Sequence, residues 1–229
     1  DPYWGKEGGC NSRASIDEKS KESWQFINLA IVEPYFVPLM SLPYRQTDNL
    51  DDLVIDLLKY LKTLPLKVDL VFFDRGFYHA HLIDFLEAQK ISYLIFAPRT
   101  NAIKNCLKQS TTGVNSFRHE MSYTLEKSTW KPATTIVICK GIKKDKLGDT
   151  FDWCFATNQK PSLSLVQEYK KRWNIETGFR IHDEAKIKTK SSNLIIRFFY
   201  HLLSMLFVLL WRVQRAQQNL AIVFKRFLK

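Results

Sequence analysis

The chain has 229 residues, 45% of them apolar and 14% aromatic, which supports a sizeable core and excludes an intrinsically disordered chain. Its 34 Lys and Arg against 23 Asp and Glu give a formal charge of +11, an excess that selects for a polyanionic partner, with nucleic acid ahead of an anionic membrane surface. Cys10, Cys106, Cys139 and Cys154 form no C-x-x-C pair and few histidines stand at ligand spacing, which argues against a structural zinc site and fits a reducing cytoplasm.

Taken in chain order, the opening "DPYWGKEGG" lacks an initiator Met and reads as the interior of a gene product, and residues 1–22 read as loop. "WQFINLAIVE" and "YFVPLMSL", separated at Pro34, predict two adjacent antiparallel strands. Leu50, Leu53, Val54, Leu57, Leu58 and Leu61 recur at helical spacing and predict an amphipathic helix capped at Asp48 or Asn49. "KVDLVFFDRGF", "YHAHLIDFLEAQKI" and "SYLIFAP" follow as strand, helix and strand, a βαβ unit with parallel strands. Together these elements predict an α/β fold with a mixed sheet and flanking helices.

From Gly113 to Thr157 the pattern changes to three short strands with basic connections, expected as a β-rich insertion. Two long helices then close the chain, about Leu163–Lys186 and Ser192–Lys225. The expected division is 1–112 for the first part of the core, 113–157 for the insertion, and 158–229 for helices that complete the core and end in a basic tail. Phe198–Trp211 carries no formal charge but falls short of the ~20 residues a membrane span needs, so it is expected as a buried helix, with no membrane partner. From Arg197 onward there are six cations and no acid.

Two carboxylates stand out. Asp74 ends the strand "DLVFFD" before Gly76, at the carboxyl end of a strand where sites in open α/β sheets gather. Burial there is expected to desolvate it partly and to call for Arg75 or a metal as partner. The plainer reading is a turn Asp capping the next helix. Glu176 lies within "YKKRWNIETGFR", where Tyr169, Arg172, Glu176 and Arg180 are expected to share one stripe of a single helix bordering the core. An ion pair with Arg172 or Arg180 would also account for Glu176. Two carboxylates sharing one pocket suit Mg²⁺ and phosphodiester chemistry, with Tyr169 and Arg172 on phosphates.

"DRGFY" and "YKKRWNIETGFR", in that order, resemble the insertion-sequence DDE transposases with a Tyr-Arg-Glu-Lys signature, and "DPYWGK" is similar to the segment after that family's first catalytic Asp. The resemblance implies an RNase H-like fold with a β-rich insertion before the last catalytic helix. It implies Mg²⁺-dependent cleavage of transposon ends (Mn²⁺ as substitute) and strand transfer into double-stranded target DNA. Asp74 and Glu176 take the second and third acids, as catalytic and metal-binding residues, and Tyr169 and Arg172 take DNA-contacting positions. The first acid is expected upstream of Asp1. Asp183 stands where the family has its Lys, with Lys186 one turn further as the expected substitute. Arg180, Lys186, Lys188 and Lys190 complete the expected DNA-binding set, and Trp130 in "KSTWKP" is a further candidate. A homodimer on paired DNA ends and a nucleoid-associated cytoplasmic location follow from the same resemblance. The alternative is an inactive remnant that binds DNA without cutting it.

Overall fold

The computed structural model describes residues 12–13, 22–23, 25–45, 47–125, 127–143, 150–191 and 193–218. The expectations on Asp1, Trp4, Cys10, Trp24, Lys144, Lys146, Lys225, Arg226 and Lys229 lie outside them. The chain divides into two compact units, one made of Asp1–Leu53 with Lys171–Lys229 and the other of Val54–Lys170.

In the first unit, β1 (Ser12–Arg13) pairs with β2 (Glu22–Ser23), and β3 (Gln25–Ile31) with β4 (Val37–Tyr44), both antiparallel. The β3–β4 hairpin matches the strands read around Pro34. It forms a two-stranded sheet of its own, whereas the sequence suggested that it would join the βαβ strands in one sheet. Helix α1 (Leu50–Thr63) carries the chain into the second unit. Asn49 caps it, its Oδ1 accepting from the Asp51 amide at 3.0 Å.

The second unit is built on a mixed five-stranded sheet. Strand β5 (Val71–Phe73) lies at its edge, parallel to β6 (Tyr93–Phe96), with α2 (Ala80–Ala88) as the crossover. Helix α3 (Asn101–Gln109) was not legible as an element; Thr100 caps it, accepting from the Ile103 amide. The stretch read as an insertion supplies β7 (Gly113–Glu120), the β8 (Tyr123–Leu125) and β9 (Ser128–Trp130) hairpin, β10 (Ala133–Lys143) and β11 (Thr150–Thr157). Strands β7, β10 and β11 extend the sheet in the order β5-β6-β11-β10-β7.

Burial explains this order. Trp153–Thr157 of β11 and Tyr93–Ile95 of β6 are buried residue after residue, the mark of central strands covered on both faces, while β7 alternates half-buried and exposed positions as an edge strand does. Helix α4 (Ser164–Lys170) packs Leu165, Val166 and Tyr169 onto Leu94, Val137 and Phe155. The unit is thus a mixed α/β sheet with flanking helices, compatible with an RNase H-like domain.

The chain returns to the first unit through α5 (Trp173–Glu184) and α6 (Leu194–Gln218). Ile175 and Phe179 of α5 join Phe36, Val208 and Trp211 in the core. Gly178 is required by close approach, because a Cβ there would run into the Phe36 ring. The apolar run read as a short buried helix is the middle of α6. Ser204, Met205, Val208 and Trp211 are buried, but Ile195, Phe199, Leu202, Leu206 and Leu210 are exposed, so only one face meets the unit's core. Leu194–Ala216 has the length and apolarity to cross a membrane, a test that the core helix of a soluble protein also passes.

Arg197, read from sequence as part of a basic tail, is buried. Its Nε donates to Ser191 O and its Nη2 to Thr189 O at 3.2 Å. His201 of α6 places Nε2 3.1 Å from Ser41 Oγ and 3.0 Å from Asn28 Oδ1. Burial, the neighbouring His182 and Lys186 together push its pKa down to about 3.

Candidate active site

Strand β5 delivers Asp74 to the carboxyl end of the sheet. Asp74 has φ −78° and ψ 170° and caps the 3₁₀ turn Arg75–Phe77, its Oδ1 accepting from the Arg75 amide at 2.8 Å. The capping anticipated by the plainer reading is therefore present, but it engages one carboxylate oxygen. The carboxylate is exposed, not partly desolvated, because β5 is the edge strand and is three residues long. Arg75 is not its ion-pair partner: the guanidinium lies over the Phe96 ring, 5.0 Å from its centroid.

The single helix expected across the signature is two helices. Between α4 and α5 the amides of Asn174 and Ile175 bond to Lys171 O and Arg172 O at 2.9 and 2.8 Å, i→i+3 contacts that tighten the turn. Packing supplies the reason. Continuing the buried phase of Leu165 and Tyr169 would turn Arg172 and Glu176 inward, whereas α5 buries Gly178 and His182, a set rotated by about one residue, or ~100°. The stripe is broken at this point. Tyr169 belongs to the second unit, and Arg172, Glu176 and Arg180 to the first.

Tyr169 is 4% exposed. Its hydroxyl donates to Phe73 O at 3.3 Å, and its ring stacks on Phe96 with centroids 5.7 Å apart. In this structure it is a core residue, not the surface contact that the resemblance implied, because the aromatic cluster of Phe96, Trp153 and Phe155 encloses its ring.

Glu176, in the first turn of α5, is exposed and does not border the core; its side chain retains 63% of its accessible area. Arg172 holds it, with Nη2 3.2 Å from Oε1. The start of α5 is anchored by two contacts to the β3–β4 connection: Asn174 Nδ2 donates to Val32 O at 3.2 Å, and Lys171 Nζ lies 2.9 Å from Glu33 Oε2. The Glu33 contact had no signal in sequence, since the partners are far apart along the chain. Trp173, the first residue of α5, is 52% exposed.

The remaining cations divide by use. Arg180, Lys188 and Lys190 are exposed, the last two on the extended segment that Arg197 holds by its carbonyls. Lys186 stands 3.9 Å from Asp183. Lys140 on β10 donates to Leu107 O and Ser110 O at the end of α3, where free carbonyls favour a cation. Trp130 stacks on Tyr123 across the β8–β9 hairpin, centroids 6.0 Å apart, and meets the His81 ring of α2 at a tilt, at 4.3 Å.

Asp74 and Glu176 offer hard oxygen donors open to solvent, a donor type that suits Mg²⁺ or Mn²⁺ over softer metals. Among the described residues no group of three or more His, Cys, Asp or Glu side chains is gathered as a metal site. A family model described as "Transposase DDE domain" matches residues 48–211, a span containing Asp74, Glu176 and the whole signature. No curated protein is significantly similar to the chain.

Proposed function

The chain belongs to the transposase DDE-domain family, and from that premise we propose that it is the catalytic domain of a DNA transposase that cleaves transposon ends and joins them to target DNA. Transposases act on DNA, and this family generally uses a divalent metal. We assign that metal as Mg²⁺, with Asp74 and Glu176 supplying carboxylates to it. When bound, such an ion activates a water or a 3′-hydroxyl and stabilises the oxygens entering and leaving the phosphorus.

The observation that carries the reading is the state of Asp74. It stands at the end of a sheet strand, directly after the buried Phe73, yet its carboxylate is exposed and only one oxygen is committed to the Arg75 amide. Glu176 is likewise exposed, with Arg172 steering its Oε1. Arg172, just before α5, Arg180 on it, and Lys186, Lys188 and Lys190 beyond it provide cations for the sugar–phosphate backbone of double-stranded DNA.

The test is nicking of supercoiled DNA by the full-length protein in Mn²⁺, beside Asp74→Asn and Glu176→Gln. Each substitution should lower the rate by roughly 10²–10³-fold or more while DNA retention at matched salt persists. Wild-type nicking that survives both substitutions would remove these residues from the mechanism. DNA binding that falls steeply with salt, with no nicking of DNA carrying the transposon ends, would favour the binding-only remnant.

A further inference from the structure

We infer that Tyr169 is a positioning residue for Asp74, acting through the backbone of Phe73 and through Phe96 instead of through DNA. The inference rests on the assignment of Asp74 as a metal-binding acid. Three observations within the second unit carry it. First, the Tyr169 hydroxyl donates to Phe73 O. That oxygen belongs to the peptide plane ending at the Asp74 Cα, so holding it restricts how the carboxylate is presented. Second, β5 ends at Phe73 and pairs with β6 alone among the described strands of its unit, and the Tyr169 bond to its last peptide comes from a helix, not from a strand of the sheet.

Third, the residue after Asp74 is tied to the same place. Arg75 lies over Phe96, and Tyr169 stacks on Phe96 with rings inclined by 27°. Both neighbours of Asp74 are thus referred to one aromatic pair: Phe73 through its carbonyl and Arg75 through its guanidinium. Tyr169 itself is held on further sides by Phe155, at 5.2 Å, and Trp153, at 6.4 Å. A tyrosine so enclosed can present its hydroxyl to a fixed point with little loss of freedom, which suits it to setting a backbone position. Partners that orient a ligating group from behind commonly cost 10–100-fold in metal affinity or activity when removed.

The test is Tyr169→Phe, which deletes the hydroxyl and keeps the ring. In metal-free full-length protein, hydrogen exchange of the Phe77 and Tyr78 amides, which bond to Asp74 O and Arg75 O, should quicken by about tenfold, while Tyr93–Phe96 of β6 stays as protected as before. The Mn²⁺ concentration for half-maximal nicking should rise by about tenfold. DNA affinity in chelator at matched salt should not change. Phe96→Leu, which removes the platform under Arg75 as well, should quicken exchange in the same turn.

Unchanged exchange at Phe77 and Tyr78 in both variants would overturn the inference, and a fall in metal-free DNA affinity with that exchange unchanged would make Tyr169 a phosphate contact instead. The exchange readout needs neither metal nor activity. It stands apart from the assignment of Asp74 itself, which fails if Asp74→Asn nicks as the wild type does.

Discussion

Asp74 and Glu176 are both exposed carboxylates, yet the molecule holds them by opposite means. Asp74 is fixed from behind: its strand belongs to the sheet, the preceding carbonyl is bonded to a buried tyrosine, and its own oxygen caps a turn. Glu176 is fixed from the side, by the Arg172 guanidinium one helical turn away and by a helix whose outer face is open. An acid set by backbone and core packing depends on the fold's rigidity. An acid set by a partially exposed ion pair, worth only a few tenths of a kcal/mol, depends on charge and solvent.

The largest expected effect tests that contrast directly. Native-state hydrogen exchange should show amides of β6 and β11, buried on both faces, exchanging roughly a hundredfold or more slower than those in the first turns of α5. Equal protection would break the comparison. Next in size is Gly178→Ala. The added methyl meets the Phe36 ring, which must move or push α5 outward, at a cost of about 1–3 kcal/mol in denaturant unfolding. A neutral result would show that the α5 packing is looser than the contact implies.

Acidification supplies the smallest and most local change. His201 is held neutral in the folded chain, with a pKa of about 3 against an ordinary value near 6.5, while His182 is also shifted down by burial. Between those values the unfolded chain binds the proton and the folded one does not, so stability falls as pH drops from about 6.5 toward 3. Melting of the wild type should therefore lose more on moving from pH 7 to pH 5 than melting of His201→Gln. Equal losses would show that His201 is not the group responsible.

Much of this was legible because local patterns carry it. The hairpin around Pro34 and the capped helix α1 follow from side-chain periodicity and turn chemistry, and the βαβ unit from strand and helix lengths. The motifs "DRGFY" and "YKKRWNIETGFR" were sufficient for the family, since its signature is a run of residue types at short spacing. Helix α3 was missed because its apolar face is thin: Ile103 is its only buried residue.

What the sequence by itself determined, then, is composition, charge, most of the succession of elements and the family signature in which Asp74 and Glu176 stand, all properties of neighbours along the chain. Tertiary packing decided where those residues face. It extended the sheet from β6 through β11 and β10 to β7, left Glu176 exposed on α5, drew Tyr169 into the aromatic core, and spent Arg197 and Lys140 on backbone carbonyls. A helical stripe read from sequence assumes one unbroken helix with one buried face. Gly178 is buried against Phe36 within the first unit and Tyr169 against Phe96 within the second, so each helix takes its buried face from its own core, and those cores are made by residues distant along the chain.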